Sequence, residues 1–147
     1  MRLSPQEPNT NDENKELVRR YNEEIWNNHH LAKASEFMDD DFLEKSIEHV
    51  QQFLTAFPDA HVTIEDLIAE EDKVVARLVA AATNSGSFAG QPPTGKKVEI
   101  RSIRIYRIAN HKIVETWAMQ DRLGLFKQLG FLQSAGSNVN WAAGSDE

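Results

Sequence analysis

The chain contains no cysteine among its 147 residues. That absence excludes disulfide cross-links, thiolate catalysis and cysteine-ligated zinc, so the fold must depend on its apolar core. A chain of this length is within the usual range for one domain and is long enough to bury such a core. We therefore expect a single domain without covalent cross-links.

Long apolar runs and excess positive charge are missing as well. No apolar stretch is long enough to span a bilayer, and the amino-terminal MRLSPQEPNTNDENK lacks the apolar segment of a signal peptide. The formal net charge is −7, which disfavours a phosphate-backbone partner. The sequence therefore predicts a cytoplasmic protein that binds neither a membrane nor nucleic acid.

Patterns typical of metal, phosphate and nucleophilic serine sites are also scarce. The five histidines show no ligand spacing, and the acidic clusters lack the alternating oxygen ligands of a calcium loop. The glycines match neither dinucleotide nor P-loop spacing, and no G-x-S-x-G is present. We expect no metal site and no bound cofactor.

Helical patterns fill the first part of the chain. An apolar stripe from Leu17 to Trp26 predicts a helix that begins near residue 11 and ends near residue 28. Apolar residues between 31 and 38 predict a short second helix, and a third is stopped by Pro58. The helices therefore precede the strands.

Alternating β-branched segments fill the second part. Residues 60–69 and 73–83 predict two strands around an acidic turn, and residues 97–109 and 112–120 predict two more around Asn110-His111. Helices followed by an antiparallel meander define an α+β domain. We expect a flexible tail at 1–11, the domain at 12–132 and a second tail at 133–147, in which Trp141 predicts docking on an apolar surface.

Asp121 is a candidate for chemistry because it stands where the last strand meets a helix. Alternation predicts that Ile113, Glu115, Trp117, Met119 and Asp121 share one face of the strand. If that face lines a cavity, partial desolvation beside Trp117 and Met119 makes Asp121 a candidate acid or base. Otherwise Asp121 is an ordinary N-cap of the helix.

Three segments resemble a known family. The helix with YNEEIWN, the pair AFPDAHVTIEDLIAEEDKVVARLVA and the stretch GQPPTGKKVEIRSIRIYRIANHKIVETWAMQDRLGLFKQLG are similar to the SnoaL-like polyketide cyclases, also called ester cyclases, of the nuclear transport factor 2-like superfamily. The most specific pieces are the P-P-T-G loop, the E-x-W-x-x-x-D signature that ends at Asp121, and the trailing G-L-x-x-x-L-G. The resemblance covers roughly residues 17–131.

This resemblance implies a cone in which a curved antiparallel sheet and the amino-terminal helices enclose a hydrophobic pocket, with a homodimer formed through the outer sheet face. It also implies that Asp121 is the acid/base in a ring closure on a small hydrophobic carbonyl or polyketide-like substrate, without metal or cofactor. We therefore predict a cofactor-free cyclase or isomerase. Two alternatives stay open: a non-catalytic hydrophobic-ligand-binding or stress-associated protein, and an epoxide hydrolase-like enzyme, which needs a second pocket carboxylate such as Glu115.

Further side chains are candidates for contacts with the substrate. An enolate needs a hydrogen-bond donor, and an amide, a phenol, a guanidinium or an indole can serve. Trp26 can belong either to the core or to the ligand contacts. The predicted substrate-binding residues are Trp117, Met119, Glu115, Asn84, Tyr21, Trp26, Arg104 and Arg77.

Overall fold

The computed structural model describes residues 9–132, so the prediction for the tail at 133–147, including the docking of Trp141, and that for residues 1–8 lie outside the described residues. The predicted α+β order is confirmed, although the first helix begins at Asn9, inside the predicted tail. The elements are α1 (Asn9–Tyr21), a π-helical turn (Asn22–Asn27), a 3₁₀ helix (Leu31–Glu36), α2 (Asp40–Ala56), β1 (His61–Glu70), β2 (Lys73–Thr83), β3 (Lys97–Ala109), β4 (Lys112–Gln120) and α3 (Arg122–Leu129).

Helix α2 starts earlier than its apolar stripe, because a carboxylate caps it. The Asp39 side chain accepts a hydrogen bond from the backbone N–H of Phe42 at 3.2 Å, which satisfies one of the free donors of the first turn. The helix ends at Ala56, two residues before Pro58, as expected for a residue that cannot continue a helix.

The four strands form one antiparallel sheet in the order β1-β2-β3-β4, so every connection joins neighbours. Asn110 and His111 both have positive φ, 53° and 64°, as a two-residue hairpin turn of type I′ requires. The predicted turn between β3 and β4 is therefore confirmed.

The inner face of the sheet packs against the helices and forms the core. Tyr106 and Val74 are 0% exposed there, opposite Val18 and Ile25 of the helical layer. A second apolar cluster joins α3 to the far end of the sheet through Leu125. The outer face instead carries exposed apolar side chains, namely Ile68, Ile103, Trp117 and Met119.

A β-bulge decides which residues of β4 face outward. Arg107 pairs with Glu115, but the next residue of β3 pairs with Ile113, so Val114 is the extra residue. Ile113 is consequently buried on the inner face, while Trp117 and every second residue around it lie on the outer face. The predicted single face from Ile113 to Asp121 is therefore wrong, because the extra residue shifts the alternation.

Candidate functional site

A cavity of about 410 Å³ lies between α2 and the inner face of the sheet. Its volume is within the range of about 300–1,000 Å³ typical of small-molecule sites. Sixteen of the residues between 9 and 132 line it; eight of these are apolar or aromatic, eight are polar or charged, and none of the sixteen is an Asp or a Glu. The apolar walls include Trp26, Phe53, Val62, Leu78, Phe88 and Ile100, and the polar groups include Asn22, His49, Ser102, Arg104, Gln120 and Arg122.

The helical wall presents His49 to this cavity. The His49 ring lies edge-on to Trp26, with ring centroids 6.4 Å apart. His49 keeps an exposed side, as a residue at a cavity rim does, yet desolvation of the packed side lowers its pKa, and the charge of Arg104 lowers it further. Its ordinary value is 6.5, so the imidazole is neutral at pH 7 and able to accept a proton.

Two buried phenols lie close to Arg104, which is on β3 and lines the cavity. Desolvation raises the pKa of Tyr106 to about 12 and raises the pKa of Tyr21 as well, while the charge of Arg104 opposes both shifts. Asn22 donates a hydrogen bond to the Tyr106 hydroxyl at 3.2 Å. Both phenols therefore stay protonated, and Arg104 is the charged group at this end of the cavity.

Arg104 is not neutralised within the described part of the chain. Its guanidinium lies 3.4 Å from the Thr116 hydroxyl, a long contact, and none of the salt bridges among residues 9–132 includes it. A partly buried guanidinium without a carboxylate partner is a ready hydrogen-bond donor for a ligand oxygen.

Arg122 adds a second guanidinium at the start of α3. Its central carbon lies 5.8 Å from the ring centroid of Phe88 and 5.3 Å from that of Phe126, distances typical of cation–π contacts. The aromatic rings hold the side chain without neutralising it. Together with Arg104, this residue gives the cavity lining two positive charges in a chain of net charge −7.

Asp121 is the N-cap of α3, which confirms the capping interpretation of this residue. Its carboxylate accepts a hydrogen bond from the backbone N–H of Gly124 at 2.9 Å. It lies in an outer depression together with Met119, whose side chain is 80% exposed. The predicted desolvation of Asp121 beside Trp117 and Met119 is therefore wrong, because the bulge in β4 turns that face outward. Its role as an acid or base stays a prediction.

Two other predicted residues also lie on the outer face. Glu115 accepts a hydrogen bond from Arg107 at 3.0 Å, and Arg77 forms salt bridges with Glu65 and Asp66. Trp117, also on this face, is 45% exposed. Their predicted contacts with a ligand in the pocket are wrong for the same geometric reason: alternate residues of β2 and β4 point away from the helices.

Asn84 is buried but belongs to a loop and not to the cavity. Its side-chain amide donates to Gly86 O at 2.8 Å and, more weakly, to Ala56 O at 3.4 Å. Its oxygen accepts from the backbone N–H and the hydroxyl of Thr94, both at 2.9 Å. All hydrogen-bonding positions of the amide are therefore used, and the predicted contact of Asn84 with an enolate is wrong.

Of the predicted residues, Trp26 and Arg104 line the cavity. Tyr21 does not line it, but its hydroxyl accepts a hydrogen bond from the Trp26 indole N–H at 3.2 Å. Sequence reasoning missed His49 and Arg122. The spacing of His49 excludes only a metal site. The signal for a pocket residue is its position on α2, one helical turn before Phe53 and on the side that faces the cavity.

Neither a metal cluster nor a membrane helix is found in the part of the chain that the structure describes. No group of three or more His, Asp or Glu residues is close enough together there to hold a metal ion. None of its helices is both long and apolar enough to cross a membrane.

Solved structures of similar proteins share this architecture. AclR from Streptomyces galilaeus, provisionally described as a hydroxylase, is 27% identical with a TM-score of 0.74, and the match covers 84% of this chain and 99% of AclR. IdmH from Streptomyces antibioticus, provisionally described as a polyketide cyclase, is 26% identical with a TM-score of 0.72, over 80% of this chain and 98% of IdmH. TsrD from Streptomyces laurentii is 22% identical with a TM-score of 0.77, over 82% and 97% of the two chains, which supports the fold alone.

The sequence comparison points to one family. No curated protein matches the chain. The family model of the SnoaL-like polyketide cyclases matches residues 16–129, which is more than half of the chain. The predicted nuclear transport factor 2-like fold is confirmed by this match and by the structural neighbours. The chain belongs to the family of SnoaL-like polyketide cyclases.

Proposed function

We propose that the protein is a cofactor-free enzyme of cyclase or isomerase type, which acts on a small, largely apolar carbonyl compound bound in the inner cavity. The observation that carries this proposal is the joint presence of His49 and Arg104 in one cavity, to which residues 9–132 contribute no carboxylate. Membership of the SnoaL-like polyketide cyclases supports the class of reaction.

In this mechanism the neutral His49 imidazole removes a proton from the carbon next to the carbonyl group. The electrons of that C–H bond form a C=C bond, and the carbonyl oxygen becomes an enolate that the Arg104 guanidinium stabilises. The enolate carbon then attacks a second carbonyl to close a ring, or it is reprotonated at another carbon to give an isomer. His49 returns its proton in that last step, so no oxidant or metal is needed.

The epoxide hydrolase alternative has less support, because it needs carboxylates in the pocket and the described part of the chain supplies none to the cavity lining. Glu115 was the predicted second carboxylate, and it is paired with Arg107 on the outer face. Simple ligand binding without turnover uses the same cavity and differs only in the absence of proton transfer. Proton transfer is therefore the property to measure.

The test is exchange of the α-protons of 2-tetralone, an apolar bicyclic ketone, for deuterium in D₂O, followed by NMR. We expect the protein to accelerate this exchange and His49→Gln to reduce it by a factor of about 10² to 10⁴, the usual worth of a positioned general base. His61→Gln is the matched control, because this histidine is exposed on β1 outside the cavity.

The pH profile and Asp121→Asn separate the two candidate bases. Since the pKa of His49 is lowered from its ordinary value of 6.5, the midpoint of the decline in exchange rate should lie below pH 6.5. Asp121→Asn should exchange at the parental rate if Asp121 is only a cap. Loss of exchange in Asp121→Asn with His49→Gln unaffected would assign the base to Asp121, and no acceleration in any form would leave the binding interpretation.

A further inference from the structure

We propose that the substrate of the inner cavity is an acid: a carboxylate at one end of the ligand binds Arg122, while its carbonyl group is held near Arg104. This inference rests on the proposed function and specifies its substrate class. It predicts that a free acid is preferred over the neutral ketone of the same shape.

The charge of the lining residues is the first argument. The chain has 23 acidic against 16 basic residues, yet the cavity lining supplied by residues 9–132 contains two arginines and no Asp or Glu. Arg104 is half-buried and Arg122 is exposed at the mouth of the cavity. A cleft that concentrates one sign of charge, against the sign of the whole protein, favours a ligand of the opposite charge. A neutral ketone would leave both guanidinium groups without an anionic partner.

The separation of the two guanidinium groups is the second argument. The charge of Arg104 acts on the two buried phenols and on His49, at the end of the cavity where proton transfer is proposed. Arg122 instead lies over the rings of Phe88 and Phe126. Because their neighbours differ, one guanidinium can bind an enolate oxygen while the other binds a second, permanent charge.

The state of Arg122 is the third argument. No salt bridge among residues 9–132 includes this residue, although its side chain is held in place by two aromatic rings. Arg122 and Phe88 both belong to the cavity lining, so the contact with Phe88 holds the guanidinium at the cavity. An oriented guanidinium with free donors matches the planar geometry of a carboxylate.

The test compares two probes of nearly equal shape, 2-naphthoate and 2-acetonaphthone, by isothermal titration calorimetry. We expect the carboxylate to bind at least about tenfold more tightly than the ketone, in line with the strength of charge-assisted hydrogen bonds. Arg122→Gln should reduce this preference to roughly threefold or less, and Arg122→Lys should keep part of it. Lys127→Gln, which removes a positive charge from the same helix outside the cavity, should leave the preference unchanged.

Inhibition of proton exchange is a second readout, which tests whether the anion binds in the cavity. If 2-naphthoate occupies the proposed site, it should inhibit α-proton exchange of 2-tetralone competitively in the parent and weakly in Arg122→Gln. Equal affinity for the two probes, or a preference that survives Arg122→Gln, would overturn the inference while exchange of 2-tetralone still supports the proposed function. Preference for the carboxylate without any exchange would keep the acid-binding site and overturn the proposed catalysis.

Discussion

Replacement of Asn84 by alanine should be among the most destabilising single changes outside the apolar core. Asn84 is 0% exposed, and its amide joins the end of α2 to both sides of the loop between β2 and β3. Three of its side-chain hydrogen bonds have lengths of 2.8 to 2.9 Å, and the fourth is 3.4 Å long.

The magnitude follows from these contacts. Each well-formed hydrogen bond contributes about 0.5–1.5 kcal/mol, and the alanine leaves the Gly86 carbonyl and the Thr94 N–H without their partner. The three good bonds together give a loss of about 3 kcal/mol in the free energy of unfolding. Urea unfolding, followed by tryptophan fluorescence, measures it.

Asn28→Ala is the control, because Asn28 is an exposed asparagine at the end of the π-helical turn. It should change the free energy of unfolding by less than about 0.5 kcal/mol. A loss below about 1 kcal/mol in Asn84→Ala would refute the reasoning, since it would mean that the loop rearranges or that water replaces the amide at little cost.

Asn84→Asp should make the free energy of unfolding depend on pH. The introduced carboxylate would face the carbonyl oxygens of Gly86 and Ala56, to which only its protonated form can donate. Burial and these carbonyls should raise the pKa of that carboxyl in the folded state. The variant should therefore be least destabilised at low pH and lose stability as pH rises through the raised pKa. A pH-independent difference from the parent would contradict this expectation.

Three further predictions follow from other parts of the molecule. Asp121→Ala should lower the free energy of unfolding by about 1 kcal/mol in urea titrations, while Asp121→Asn should change it little, because both residues cap helices well; a loss of equal size in both would refute the cap as the source of stability. We expect a homodimer through the outer face, so Met119→Lys should reduce dimerisation in sedimentation equilibrium, and a parent that is monomeric at micromolar concentration would exclude it. Because the pKa of His49 is lowered, the folded state binds fewer protons than the unfolded state, and the free energy of unfolding should decrease as pH falls below 6.5. His49→Gln should reduce this pH dependence in thermal melts, and an unchanged dependence in the variant would contradict the prediction.

The strands and turns were predictable from sequence because local chemistry decides them. The β-branched alternation of residues 73–83 and 112–120 marks β2 and β4 with the bounds that the structure has. Asn110-His111 was predictable as a turn, because asparagine tolerates positive φ at low cost. The start of α2 was harder to predict from sequence. Three successive aspartates at 39–41 are also typical of a solvated cluster, and the capping role of Asp39 depends on the helix that follows it.

The orientation of β4 was not predictable, because it depends on one unpaired residue. In KIVETWAMQ both sets of alternate residues include apolar and polar side chains, and nothing in the segment marks Val114 as the extra residue of a bulge. A shift of one residue moves every later side chain to the opposite face. The predicted pocket residues Glu115, Trp117 and Met119 therefore all lie on the outer face, whereas Arg104 on β3 lines the inner cavity.

His49 shows a different limit, since its importance comes from residues distant in sequence. By itself it is one exposed histidine on an amphipathic helix. Only the fold brings Trp26 against its ring and places Arg104 near enough to lower its pKa. The fold also places the imidazole in the cavity that Arg104 lines, where this guanidinium can stabilise a developing negative charge. General base and anion stabiliser thus come from a helix and a strand that meet only in the folded chain, which favours a rigid site over one carried by a mobile loop.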